Sequence, residues 1–285
     1  MRFAINTPNV GLFSDVRLLA QLAHEAEDAG WDGFFLWDHV GSGPDWPWPI
    51  QVADPWVALT AMAMTTSRIK IGPLVTPLPR RRPWQVAREA VSLDHLSNGR
   101  LILGVGIGSD FAREFSCFGE DGDDKLHAEM LDEGLEVLTR LWSGEAFSYT
   151  GKHYQLSNAL FLPRPLQQPR IPIWLAGIWP NKKPFQRAAQ WDGVSPNGRD
   201  HPLTPQDFRE MIAYMQERRG NNTPFDVLML GRTTGADKER DKAKVSAFAT
   251  VGVTWWQEGF NWNHSLEQVR RRIQQGPPRV EDSSV

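Results

Sequence analysis

The sequence predicts a (β/α)8 barrel, a TIM barrel with insertion loops at its C-terminal face. Three observations carry that expectation. Short apolar runs alternate with helical patterns eight times along 285 residues, and that count closes a barrel. Residues 69–108 hold a complete strand–helix–strand unit whose strands read as buried on both faces, the mark of a parallel sheet. No dinucleotide fingerprint follows the first strand. Gly104-Val105-Gly106-Ile107-Gly108 has the wrong spacing for one and runs into a polar loop, which argues against an open doubly wound sheet. No composition shift divides the chain, so residues 1–280 are expected as one domain and residues 281–285 as a tail.

Each element has a local reason. Arg2–Thr7 is apolar and reads as the first strand. Ser14 is placed to cap a helix carrying Leu19, Leu22, Ala23 and Ala26 on one face, and Gly30 ends it. Residues 33–37 form the second strand, followed by Asp38-His39-Val40 and a Pro/Gly-rich loop. Trp46 and Trp48 in that loop are either tucked under it or lining a pocket. Asp54-Pro55 opens a helix to about residue 66. Residues 69–76 read as the third strand, with an irregular edge at Pro73 and Pro77. Pro83 starts the next helix where its missing N–H costs nothing, and Asn98-Gly99 supplies a left-handed terminator.

Residues 101–105 form the fourth strand, which runs into Gly104, Gly106 and Gly108. Residues 109–125 are polar and long for a barrel loop, and read as an excursion over the catalytic face. Met130, Gly134, Val137, Leu138 and Leu141 mark a helix. Residues 147–149 and 153–155 flank Thr150-Gly151-Lys152 as an inserted hairpin. Strands at 171–176, 192–195, 225–230 and 251–255 then alternate with helices at 182–190, 204–219, 237–249 and 265–275.

Composition narrows the function. The net charge is −3, from 31 basic and 34 acidic residues, so neither nucleic acid nor an anionic membrane is an expected partner. Arg80, Arg81 and Arg82 read as solvated or helix-end charge, as do Arg270, Arg271 and Arg272. Cys117 is the single cysteine, which leaves no disulfide framework and no thiolate metal site. His127 and Glu129, or the acidic residues from Asp121 to Asp124, match no reliable metal spacing, so no metal is expected. No run approaches the ~18 apolar residues of a membrane span. Met1-Arg2 leads straight into a strand, and a cytoplasmic enzyme is the expectation.

Barrels place their chemistry at the carboxyl ends of strands. That rule nominates Asn6, His39, Leu74, Val75, Thr76, Gly106, Gly108, Ser109, Gly177, Ile178, Ser195, Arg232 and Glu258. His39 is the candidate catalytic group: it stands past a buried strand, behind Asp38 and before an aromatic loop, and imidazole exchanges a proton near neutral pH. A structural or exposed histidine is the plainer alternative. The glycines after the fourth strand would let a ligand approach the backbone. Lys182, Lys183 and Arg187 begin the helix after the fifth strand, where free N–H groups and positive charge attract a phosphate. Ser109 and Glu258, with Trp46 and Trp48, are expected around the substrate.

GPLVTP at 72–77, the helix opened by Arg82-Pro83, LDHLSNGR at 93–100 and LGVGIG at 103–108 closely resemble the bacterial-luciferase-like superfamily of flavin- and deazaflavin-dependent oxidoreductases. The likeness covers nearly the whole chain. It implies a barrel paired as a homodimer, with His39 beside the reactive centre of the cofactor ring. It implies a bulge at Pro73-Leu74-Val75 against the back of that ring, with Pro73-Leu74 as a cis peptide. The phosphate would lie where Gly177-Ile178 leads into Lys182 and Lys183, although Gly177-Ile178-Trp179 departs from the family's small-residue doublet.

Trp37-Asp38-His39 is closer to the deazaflavin branch. The implied activity is therefore hydride transfer between coenzyme F420 and a small organic substrate. An FMN-dependent monooxygenase using O2 and a separate flavin reductase is the alternative, and a non-catalytic flavin-binding relative a second one. Some sugar-phosphate dehydrogenases of that branch carry a glutamate where this chain has Ser109, which weakens a sugar-phosphate reading.

Overall fold

Parallel strands arranged in a nearly closed ring organise the chain, in a computed structural model that describes residues 1–41, 51–220 and 223–279. Trp46, Trp48 and the expected tail at 281–285 lie outside the described residues. The order is β1 (Arg2–Thr7), α1 (Val16–Asp28), β2 (Gly33–Leu36), α2 (Pro55–Thr65), β3 (Lys70–Pro73), β4 (Thr76–Pro77), α3 (Pro83–Leu96), β5 (Leu103–Gly106) and α4 (Asp124–Trp142). There follow β6 (Phe147–Thr150), β7 (Gln155–Ala159), β8 (Ile173–Trp179), α5 (Lys182–Ala188), β9 (Gly193–Gly198) and α6 (Pro205–Arg219). The chain ends with β10 (Asp226–Gly231), α7 (Lys238–Ala249), β11 (Trp255–Gly259) and α8 (Leu266–Gln274).

Nine of these strands form one sheet in the order β3-β2-β1-β11-β10-β9-β8-β5-β4. Its pairings are parallel. β3 and β4 are the two halves of one interrupted strand. A parallel bridge from Ile71 to Leu101, beside the β4–β5 pair, brings the ends of the sheet together. The result is the (β/α)8 barrel, with β6 and β7 as an antiparallel hairpin outside it.

Strand alternation divides the core in two. Ala4, Phe35, Leu74, Ile102, Trp174, Leu228 and Trp255 fill the inside of the barrel. Phe35 packs on Trp174 and Trp255 with centroids 5.2 and 5.9 Å apart. The larger cluster lies between strands and helices and includes Leu19, Leu22 and Ala26 of α1 and Val86, Ala90 and Val91 of α3. Among the described residues, no helix is long and apolar enough to cross a membrane.

Several local expectations shift. Asp15, not Ser14, caps α1, accepting from the N–H groups of Arg17 and Leu18, while Ser14 closes a preceding turn onto Gly11 O. The third strand breaks at Leu74-Val75. That peptide is cis, one bond later than the expected Pro73-Leu74. The eighth strand is Trp255–Gly259 rather than residues 251–255. Val251 and Val253 instead bond back to Phe248 O and finish the turn after α7. Their apolar side chains serve the core from a turn, which a hydrophobic pattern cannot tell from a strand.

Two of the fourth-strand glycines answer a packing demand inside the barrel. A Cβ on Gly104 would lie 2.5 Å from Pro73 O, and one on Gly106 would lie 3.1 Å from a Val75 methyl and 3.2 Å from Ala176 Cβ. They make room for the interrupted third strand. Gly72 is packed in the same way, with Ile102 O where its Cβ would be.

Candidate active site

The mouth of the barrel, at the carboxyl ends of the strands, holds a cavity of about 330 Å³. That is the size of a compact small-molecule site. Leu74, Val75 and Pro77 of the interrupted strand give it an apolar shelf. Asn6, His39, Ser195, Asn197 and Gln257 bring polar groups from β1, the loop after β2, β9 and β11, and Ser109, Phe111, Ala112 and Glu114 come from the excursion after β5. The expected loop over the catalytic face is therefore present and contributes side chains.

His39 is held at both ends. Asn9, fully buried, accepts from His39 N at 3.1 Å and donates to His39 O at 2.8 Å. The imidazole Nδ1 lies 3.0 Å from Glu114 Oε2. Glu114 also accepts from Val40 N at 2.7 Å and faces the Arg80 guanidinium at 3.4 Å. Burial alone would raise the Glu114 pKa. The hydrogen bond and charge of His39, the Val40 N–H and the charge of Arg80 outweigh it and hold the carboxyl below its usual range. An ionised carboxylate can only accept, so Nδ1 carries the proton and donates it to Glu114. Nε2 is left to the cavity, where the ring is about one-third exposed.

Asp38 supports this arrangement from beneath. Its carboxylate accepts from Thr76 Oγ1 at 2.8 Å, Arg80 Nη2 at 2.6 Å, and Arg81 Nε and Nη2 at 3.1 Å each. Arg80 and Arg81, expected as solvated charge, are thus largely withdrawn from solvent around it, with 8% and 17% of their side chains exposed. A fully buried carboxylate needs such partners, because desolvating it unpaired costs several kcal/mol (about the same per ion in real proteins). Thr76 is likewise a positioning residue and not part of the cavity wall.

A second polar chain crosses the floor. Trp37 Nε1 donates to Asn6 Oδ1 at 2.6 Å, and Asn6 Nδ2 donates to Gln257 Oε1 at 3.1 Å. Gln257 replaces the expected Glu258 in the cavity. Along β11, Trp255 and Gln257 face inward while Trp256 and Glu258 face the helices. Glu258 accepts from Thr233 N at 2.7 Å and pairs with Arg272 Nη2 at 3.1 Å. Arg272 is accordingly buried too, against the expectation of solvated charge.

The phosphate group of the sequence reading is not gathered around the cavity. Arg187 pairs with Asp132 and donates to Ala128 O. Lys182 Nζ lies over the rings of Trp179 and Tyr214, at 3.7 and 4.8 Å. Lys183 is exposed, Ile178 is 48% exposed, and Gly177 packs near Pro184 and Phe185. Among the described residues, no three His, Cys, Asp or Glu side chains converge as a metal site. Glu114, Gln257, Asn9 and Asn197 escaped the sequence reading, since nothing in their spacing marks them.

A family description of luciferase-like monooxygenases matches residues 1–279. The chain belongs to this family. Luciferase-like relatives of both cofactor types resemble it. It is 27% identical over 231 residues to the oxygenase component of flavin-dependent trigonelline monooxygenase of Acinetobacter baylyi, covering 78% of this chain and 59% of that protein. It is 32% identical over 169 residues to the F420-dependent glucose-6-phosphate dehydrogenase of Amycolatopsis mediterranei, covering 58% of this chain and 48% of that one. The matches span about half the length of each relative. An F420-dependent secondary alcohol dehydrogenase, solved with an F420-acetone adduct, aligns with a TM-score of 0.81 over 97% of this chain and 98% of that one. At 17% identity that likeness shows the shared fold.

Proposed function

We propose that this luciferase-like chain moves a hydride between coenzyme F420 and a small organic substrate, with His39 exchanging the accompanying proton. The observation that carries the reading is the His39–Glu114 pair at the cavity wall, Nδ1 to carboxylate at 3.0 Å. It leaves Nε2 as a proton donor or acceptor facing the ligand space. The residues present fit a flat ring. Leu74 and Val75 offer an apolar shelf, and the floor holds a buried amide donor on Gln257 with no protein partner among the described residues.

When bound, the deazaflavin supplies or accepts the hydride. The chain's own groups do the rest. Leu74, Val75 and Pro77 exclude water from one side of the site. Glu114 holds the imidazole in the Nδ1–H form and stabilises its charge whenever Nε2 is protonated. Asp38, Arg80 and Arg81 fix the backbone on which His39 stands. A second reading, an FMN-dependent oxygenase served by a flavin reductase, is supported by the similarity to the trigonelline monooxygenase component over 78% of the chain.

The two readings separate in a titration of the purified protein with F420 and with FMN, followed by a turnover screen with the tighter binder. Tight F420 binding and reduction of F420 by an alcohol, or oxidation of its reduced form by a ketone, supports the first. Preference for FMN with O2 consumption on reduction supports the second. A protein that binds neither ring refutes both.

A further inference from the structure

We propose that Gln257 is the hydrogen-bond anchor of the cavity, donating its side-chain N–H groups to a carbonyl oxygen of the bound ligand. Its orientation follows from a neighbour that can act in one way only. The Trp37 indole N–H is a donor and never an acceptor. It lies 2.6 Å from Asn6 Oδ1, so the Asn6 amide is fixed and its Nδ2 turns toward Gln257. That group donates to Gln257 Oε1 at 3.1 Å. Gln257 must then present Nε2 away from Asn6. Flipping Gln257 would set N–H against N–H, and flipping Asn6 would do the same against the indole.

Among the described residues, the end of this relay meets no protein group. Gln257 is 1% exposed, it lines the cavity, and its Nε2 is buried with no hydrogen-bond partner among the described residues. A site built around such a donor discriminates strongly in favour of a ligand with a matching acceptor, because an analogue lacking it leaves the amide unpaired. A carbonyl oxygen suits the position: it offers two lone pairs and brings no proton to oppose the NH2. The oxygen belongs either to the pyrimidine edge of the cofactor ring or to a ketone substrate, a division that rests on the function proposed above.

Two variants test the anchor. Gln257→Glu keeps the shape and still accepts from Asn6, but turns an acceptor toward the ligand. Gln257→Met keeps the length and removes both contacts. F420, FMN and cyclohexanone are titrated separately into the wild-type protein and each variant. Tryptophan fluorescence reports binding, the Gln257 side-chain NH2 signals are followed in a 1H–15N spectrum, and thermal unfolding checks that the variants are folded. The expected result is a downfield move of the NH2 protons on ligand binding and a loss of affinity of roughly 10- to 100-fold in Gln257→Glu.

An effect on the ring titrations assigns the carbonyl to the cofactor, and one on cyclohexanone assigns it to the substrate; either supports the anchor. Equal affinity in wild type and Gln257→Glu, with unmoved NH2 signals, overturns it. Refusal of both rings by the wild-type protein overturns the cofactor reading instead. The ketone titration alone then decides the anchor, and no response to the ketone counts against it.

Discussion

Replacing Glu114 by glutamine removes one charge from a buried position and changes almost nothing in shape. In the wild-type chain the carboxylate receives the His39 Nδ1–H at 3.0 Å and the Val40 N–H at 2.7 Å. Two unit charges 3.0 Å apart attract by about 5 kcal/mol at an effective dielectric constant of ~20. His39 is about one-third exposed, so solvent screens part of this. What remains is about 2–3 kcal/mol, the usual worth of a hydrogen bond to a charged group. Losing that support for the protonated imidazole lowers kcat/KM roughly 30- to 150-fold. A glutamine that keeps its oxygen on Val40 N–H turns its NH2 toward Nδ1, which must then accept, and the ring proton moves to Nε2.

A two-bond 1H–15N spectrum of the imidazole reads this directly: Nδ1–H in the wild type, Nε2–H in Glu114→Gln. The pH dependence of stability gives a second readout. The Glu114 pKa is lowered from its ordinary 4.5. The stability it contributes is therefore complete above 4.5 and is lost as the pH falls through the lower folded-state value. The gap in Tm between wild type and variant should narrow as the solution is acidified below that point. Persistence of Nδ1–H in the variant, or kcat/KM within twofold of the wild type, would refute the assignment.

Three further outcomes follow from the same geometry. His39→Ala should keep the fold and the cofactor affinity while lowering turnover roughly 10²- to 10⁴-fold, and His39→Asn should do nearly as badly, since an amide cannot exchange the proton; recovery of activity in the Asn variant would reduce His39 to a prop. Gly72→Ala should destabilise the chain by roughly 3 kcal/mol or more in denaturant unfolding, because its Cβ would overlap Ile102 O between two backbones with nowhere to shift; a loss under about 1 kcal/mol would show that β3 and β5 can part freely. Glu27 accepts from Ser67 N and Oγ, Arg68 N and Ile69 N. Burial raises its pKa but those donors outweigh it and bring it from 4.5 to about 2. The stability it contributes is present above 4.5 and lost as the pH falls toward about 2. After solvent screening that contribution is about 1–2 kcal/mol, which Glu27→Gln should lack at neutral pH. An unchanged acid-unfolding profile in Glu27→Gln would contradict it.

What the sequence determined by itself was local and periodic. Pro83 opens α3, Asn98 and Gly99 close it with φ of 55° and 77°, and Asp54-Pro55 starts α2 with Asp54 as its cap. Each outcome depends on residues within one turn, so it can be read from adjacent letters. The eightfold alternation settled the barrel, and the barrel rule alone brought His39, Asn6, Leu74, Val75 and Ser109 to one end of it. All five line the cavity.

Tertiary structure decided which neighbours those residues have. Glu114 reaches His39 across 75 positions, and Asn6 reaches Gln257 across 251. No local spacing encodes either meeting. Arg80 and Arg81 read as surface charge until a carboxylate from the loop after β2, Asp38, is closed in beneath them. Gln257 and Glu258 are adjacent and similar in size, yet one lines the cavity and the other pairs with Arg272 of α8. The choice depends on the phase of β11, which begins four residues later than the apolar pattern at 251–255 suggests. Hydrophobic alternation gives the parity of a strand only once its register is known, and pairing with β1 and β10 in the closed barrel sets that register.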